Sequence, residues 1–145
     1  MEMNAKFSKS PSERNVDERE YRRSIGCLRY LLHTRPDLSF SVGVLSRYMQ
    51  EPKESHGAAL KKLLRYLRGT CSLGLHFLCG RNLKLEGYSN SSHNVDIDDG
   101  ESTTGHVFYL GNFPIIWCST KQEIVVLPSC EAKFMAATEA AKQAI

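Results

Sequence analysis

Leu-Glu-Gly-Tyr-Ser-Asn-Ser-Ser, residues Leu85–Ser92, is the turning point of the chain. Leu83, Leu85 and Gly87 alternate with Lys84 and Glu86, the period of two expected of a strand with one buried face. The strand runs on into the polar stretch Ser89–Asn94. Upstream of it, apolar residues recur every three to four positions. Downstream they alternate again.

The upstream pattern predicts three short amphipathic helices over residues 17–70. Asp17-Glu-Arg-Glu suits a helix start, because acids favour the positive end of the helix dipole. Ile25, Leu28, Leu31 and Leu32 then form one face, ending near His33. Thr34-Arg-Pro-Asp breaks and restarts the helix, with Pro36 in a first turn. Leu38, Val42, Leu45, Tyr48 and Met49 make the second stripe, and Glu51-Pro-Lys-Glu-Ser interrupts it. Ala59, Leu60, Leu63, Leu64 and Leu67 make the third, closed by Gly69 as a C-terminal cap. Residues 1–16 are polar and without pattern, and are expected to be disordered.

From Cys71 the regime changes to strands. Leu73, Leu75 and Phe77 alternate, and Gly80-Arg-Asn turns that segment into the strand of residues 83–89. Gly105–Leu110 and Pro114–Ser119 form a hairpin through Gly111-Asn112. Ile124–Leu127 is a further short extended piece. Ser129 is placed as the N-cap of an alanine-rich helix over Cys130–Ile145. The chain stops inside that helix without a capping signal, which points to truncation.

Composition narrows the function. The 145 residues suit one domain or two halves, with 41% hydrophobic and 24% charged residues, as in ordinary globular proteins. A net charge of +3 and a pI near 8.6 permit contact with phosphates without demanding it. No apolar run approaches the ~18 residues of a membrane span, and the N-terminus has no apolar signal core. Cys27, Cys71, Cys79, Cys118 and Cys130 include no Cys-x-x-Cys pair; they read as free thiols packed as small hydrophobes. His33, His56, His76, His93 and His106 show no ligand spacing. Neither a zinc site nor any cofactor is expected. Trp117, between apolar neighbours, reads as core rather than as a base-stacking platform.

Several blocks carry a resemblance. Tyr21-Arg-Arg-Ser-Ile-Gly-Cys-Leu-Arg-Tyr-Leu, Thr34-Arg-Pro-Asp-Leu-Ser-Phe-Ser-Val-Gly and Leu64-Arg-Tyr-Leu-Arg-Gly-Thr resemble the end of a copia-type retrotransposon reverse transcriptase. Gly87-Tyr-Ser, Asp98-Asp, Ser102-Thr-Thr-Gly-His-Val-Phe-Tyr-Leu-Gly, Ile116-Trp-Cys-Ser-Thr-Lys-Gln and Ser129-Cys-Glu-Ala-Lys-Phe-Met-Ala resemble the start of its ribonuclease H domain. The resemblance covers roughly residues 18–145, in order. It implies an α/β chain: a three-helix reverse-transcriptase connection-like segment over 17–70, then a truncated ribonuclease H-like antiparallel sheet and one helix over 71–145.

The chemistry implied is cleavage of the RNA strand of an RNA–DNA hybrid by two Mg²⁺ ions held by carboxylates. The family's first acid follows Gly-Tyr-Ser, where this chain has Asn90. Its second falls on Lys133. An amide loses the charge, and an ammonium puts a cation where a cation should bind. Glu131 lies about 200° around the helix from Lys133 and cannot replace it. Asp96, Asp98 and Asp99 read as a solvated turn. The family's remaining acids would fall beyond Ile145. The expectation is therefore no nuclease.

Arg65-Tyr66-Leu67-Arg68 spells Arg-x-Leu-Arg, the host-targeting string of secreted oomycete effectors, and the chain's span also resembles a downy-mildew effector of that class. The same string belongs to the third helix and is similar to one in copia relatives. No acidic Glu-Glu-Arg string follows it. Two readings stand: a secreted effector translocated into plant cells that suppresses defence-related cell death through an unknown host protein, or an inert retrotransposon remnant, cytoplasmic or nuclear. Anionic lipid could meet Lys61, Lys62, Arg65 and Arg68. Nucleic acid could meet these with Lys53, Arg81 and Lys84, weakly and with salt sensitivity.

Overall fold

A computed structural model describes residues 7–9, 12–77, 83–92, 98–126 and 128–145. They form two compact units that divide between Gly74 and Leu75. The first holds α1 (Glu18–Leu31), a 3-10 turn (Pro36–Leu38), α2 (Ser39–Ser46) and α3 (Glu54–Gly69). The second holds β1 (Leu85–Ser92), β2 (Thr103–Leu110), β3 (Phe113–Lys121) and α4 (Ser129–Ala144). The expected layout of helices, antiparallel sheet and final helix is present.

In the helical unit the apolar stripes meet. Ile25, Leu28, Leu38, Val42 and Leu45 are almost wholly inaccessible, with Tyr21, Leu60 and Leu63 around them. Each such side chain contributes about 1.5–3 kcal/mol on burial. Tyr21 can be buried because its hydroxyl donates to Leu45 O at 2.9 Å; desolvation pushes its phenol above its ordinary pKa. Asp17 caps α1, its Oδ1 accepting from the N–H groups of Arg19 and Glu20 at 2.8 and 3.0 Å. Gly69 does not cap α3 but completes its last turn. The cap is Thr70, whose Oγ1 donates to Tyr66 O at 2.9 Å. Leu64, expected on the buried stripe, is 41% exposed.

The described part of the N-terminal stretch departs from the expectation of disorder. Asn15 bridges to Lys53, Val16 N–H donates to Pro52 O, and Glu54 N–H donates to Arg14 O. The cause lies at the start of α3, where backbone N–H groups lack partners within the helix. Glu13 supplies one, accepting from Ser55 N–H at 3.0 Å, and this bonding with Ser55 holds its carboxyl below its ordinary pKa. Residues 1–6, 10 and 11 lie outside the described residues.

The sheet runs β1-β2-β3, antiparallel throughout. Gly111 and Asn112 turn β2 into β3, and Gly111 takes a φ of +64°, a left-handed value that favours glycine. Phe108 pairs with Ile116 and Tyr109 with Pro114, so Ile115 is an extra residue that bulges the strand. α4 packs against β1 and β2. The buried Ala132 and Ala136 let it lie close.

Three expectations change here. Residues 71–77 form no strand: Leu73 N–H closes a turn on Thr70 O, and the Phe77 ring packs edge-on against Phe113. A strand needs a ladder partner, and none of the described residues pairs with this segment. Residues 124–126 are likewise not a strand, although Val126 is buried. The cap of α4 is Pro128, one residue earlier than expected, with Ser129 inside the first turn. The Gly80-Arg-Asn turn and Leu127 lie outside the described residues.

Candidate functional site

β1 presents Asn90 opposite Gly105 of β2. Asn90 is exposed, and its Oδ1 accepts from the Ser91 N–H at 2.9 Å. Successive side chains of a strand point to opposite faces. Gly87, Ser89 and Ser91 therefore share a face with Phe108, His106 and Thr104, while Asn90 shares the other with Gly105 and Ser119. Lys133 is an exposed residue of α4, one position beyond buried Ala132. Their elements are neighbours, yet no hydrogen bond joins Asn90 to Lys133.

These donors do not fit a pair of divalent cations. An amide oxygen carries no net charge, and an ammonium offers no lone pair. Among the described residues, no cluster of three or more His, Cys, Asp or Glu side chains is placed to hold a metal. The acids of the loop are turned to another task. Lys121 Nζ contacts Asp99 and, at 3.0 Å, Glu101, tying the turn to β3. Asp96 and His93 lie outside the described residues.

The Arg65–Arg68 string is helical and partly built into the fold. Arg65 and Arg68 are exposed, and Leu67 is half-buried against the core. Tyr66 donates its hydroxyl to Asp37 Oδ2 at 3.0 Å. Asp37 in turn receives Arg35, through Nε at 2.9 Å and Nη2 at 2.8 Å. Arg35 also reaches Thr70, donating to its carbonyl at 3.1 Å and its hydroxyl at 2.9 Å. The Arg35 guanidinium, then the Tyr66 hydroxyl, hold the Asp37 carboxyl below its ordinary pKa. This network binds the end of α3 to the 3-10 turn, and nothing in the pattern of the sequence announced it.

The remaining candidates sort by exposure. Lys61, Lys62, Arg65 and Arg68 are exposed on α3. Lys53 is not available to a phosphate: it is 4% exposed and held by Glu51 and Asn15 at 2.6 and 2.9 Å. Lys84 pairs with Glu86 at 2.8 Å, and Arg81 lies outside the described residues. Trp117 is half-buried beside Val107 of β2. Cys27, Cys71 and Cys130 are exposed rather than packed inside, and Cys118 is half-buried; Cys79 lies outside the described residues. The sequence reading missed Gln122, buried in the seam between sheet and helix. Its Nε2 donates to Thr104 Oγ1 at 2.8 Å and to Ala132 O at 3.0 Å. No described helix is long and apolar enough to cross a membrane.

No family model matches the chain, and no solved structure matches it. It is 48% identical over 118 residues to the retrovirus-related Pol polyprotein from transposon RE2 of Arabidopsis thaliana, across 81% of this chain and 8% of that protein. It is 38% identical to the corresponding polyprotein from transposon TNT 1-94 of Nicotiana tabacum, across 97% of this chain and 11% of that protein. The secreted RxLR effector protein 161 of Plasmopara viticola is 40% identical over 126 residues, 86% of this chain and 89% of the effector. The chain belongs to the family of copia-type retrovirus-related Pol proteins, and it spans about a tenth of the length of the polyproteins.

Proposed function

We propose that this chain is a non-catalytic copia-derived protein, with a reverse-transcriptase connection-like segment over residues 17–70 and a ribonuclease H-like part over 71–145. The observation that carries the reading is the pair Asn90 and Lys133, at the positions where the family resemblance implies metal-binding acids. Two divalent cations need concentrated anionic oxygen, and this pair supplies none. A titration with paramagnetic Mn²⁺, followed by amide NMR, tests it. The expected result is diffuse broadening over the acidic surface, without saturation. Selective, saturable broadening around Asn90 and Lys133 would overturn it.

A second reading is favoured by one observation, the match to the effector along 89% of the effector's length. On it, the protein is secreted, enters the plant cell and suppresses defence-related cell death by contact with a host protein. The exposed Lys61, Lys62, Arg65 and Arg68 are its candidate surface for anionic lipid or nucleic acid. Transient expression of the full chain in leaves with a death elicitor tests it. Suppressed death supports the effector reading; unchanged death with the protein accumulated leaves an inert retrotransposon-derived chain.

A further inference from the structure

Asn90-Ser91-Ser92 is the one Asn-x-Ser/Thr triplet among the 145 residues, and its middle residue is not proline. Such triplets are acceptors of N-linked oligosaccharide when exposed in a secretory compartment. Three observations on the sheet bear on it. Asn90 is exposed, and Oδ1 is its hydrogen-bonded atom, which leaves Nδ2, the atom that would carry a sugar, without a bond among the described residues. Its cross-strand neighbours are Gly105 and then Ser119. A Cβ built on Gly105 would meet, among the described residues, only Cys118 O, at 3.6 Å, so these residues leave the lane beside Asn90 open. Tyr88, on the same face two residues before, is 58% exposed and offers a ring to the apolar face of a pyranose.

We propose that Asn90 is an N-glycan acceptor whose first sugar lies in the lane over Gly105, against Tyr88. The donor is a polyprenyl-diphosphate-linked oligosaccharide. The bond from Asn90 Nδ2 to the anomeric carbon forms, the bond from that carbon to the diphosphate oxygen breaks, and an Nδ2 proton is released to the transferase. The Ser92 side chain supplies the hydroxyl such acceptors require. At present it sits against Thr103 at the sheet margin, its Oγ accepting from the Thr103 N–H at 3.2 Å. Transfer to Asn90 requires passage through a secretory compartment, and a leader supplied in the experiment provides that route.

The full chain is expressed behind a cleavable secretory leader in cultured mammalian cells. The expected product runs one glycan heavier and collapses on treatment with peptide-N-glycosidase, which leaves aspartate at position 90 in the peptide mass spectrum. Asn90→Gln and Ser92→Ala each abolish the shift, and Ser92→Thr raises its occupancy. A secreted wild-type chain with unmodified Asn90, or a shift that survives Asn90→Gln, would overturn the proposal.

Discussion

Gly87 faces Phe108 across the sheet, and a Cβ there would lie 2.6 Å from Phe108 Cε1. The Phe108 ring, 7% exposed, cannot retreat freely. Gly87→Ala is expected to cost about 1–3 kcal/mol by overpacking, read as a lower urea midpoint with an unchanged slope. Tyr21→Phe removes the side-chain donor to Leu45 O, which keeps its bond from the Tyr48 N–H at 3.3 Å. The expected cost is about 0.5–1.5 kcal/mol by the same measurement. A glycine at position 87 was legible in the sequence as part of the alternation. Its reason was not, because Phe108 lies 21 residues away and only the register of β1 on β2 brings it near. Likewise Asn90 stood out in the sequence because the resemblance implies an acid at its position, while the lane beside it depended on Gly105 and Ser119 falling opposite.

At the scale of elements, the helices were the more legible. Their stripes place Ile25, Leu28, Val42, Leu45 and Leu60 inside, as the spacing required. Leu64 escaped because it sits at the margin of the α3 stripe, where the next helix must decide its burial. There it lines an open groove between α1 and α3 instead, with Tyr21, Ser24 and Gly57. The strand expected at 71–77 failed for a different reason: alternation describes a half-buried surface but cannot supply a ladder partner. Arg35, Asp37, Tyr66 and Thr70 join elements that are separate in sequence, and they set a pH dependence. The Asp37 carboxyl has a lowered pKa in the folded chain, so its contribution is present above the ordinary carboxylate value. It is lost as pH falls through the lowered value. Thermal melts from pH 6 downward are expected to show a loss of stability in the acid limb that Asp37→Asn flattens. Arg35→Ala is expected to lower the melting temperature near neutral pH by freeing Asp37 and the end of α3.

For the whole molecule, the described residues form two compact units, and the order of motifs along the sequence was enough to recognise the copia-type Pol family. The hairpin of β2 and β3 was legible at Gly111-Asn112, whereas the pairing of β1 with β2 was not, because alternation names no ladder partner. What the pattern of residues could not give was the electrostatic outcome: Lys121 takes up Asp99 and Glu101, while Asn90 and Lys133 bring no negative charge. On the proposed function, this combination does not cleave nucleic acid. Its most direct test is incubation of the purified 145-residue chain with an end-labelled RNA–DNA hybrid in Mg²⁺ and, separately, in Mn²⁺. The expected result is an intact RNA strand at every protein excess. RNA cleavage that requires the metal, stops with chelator and is abolished by Asn90→Ala would show a working nuclease centre instead.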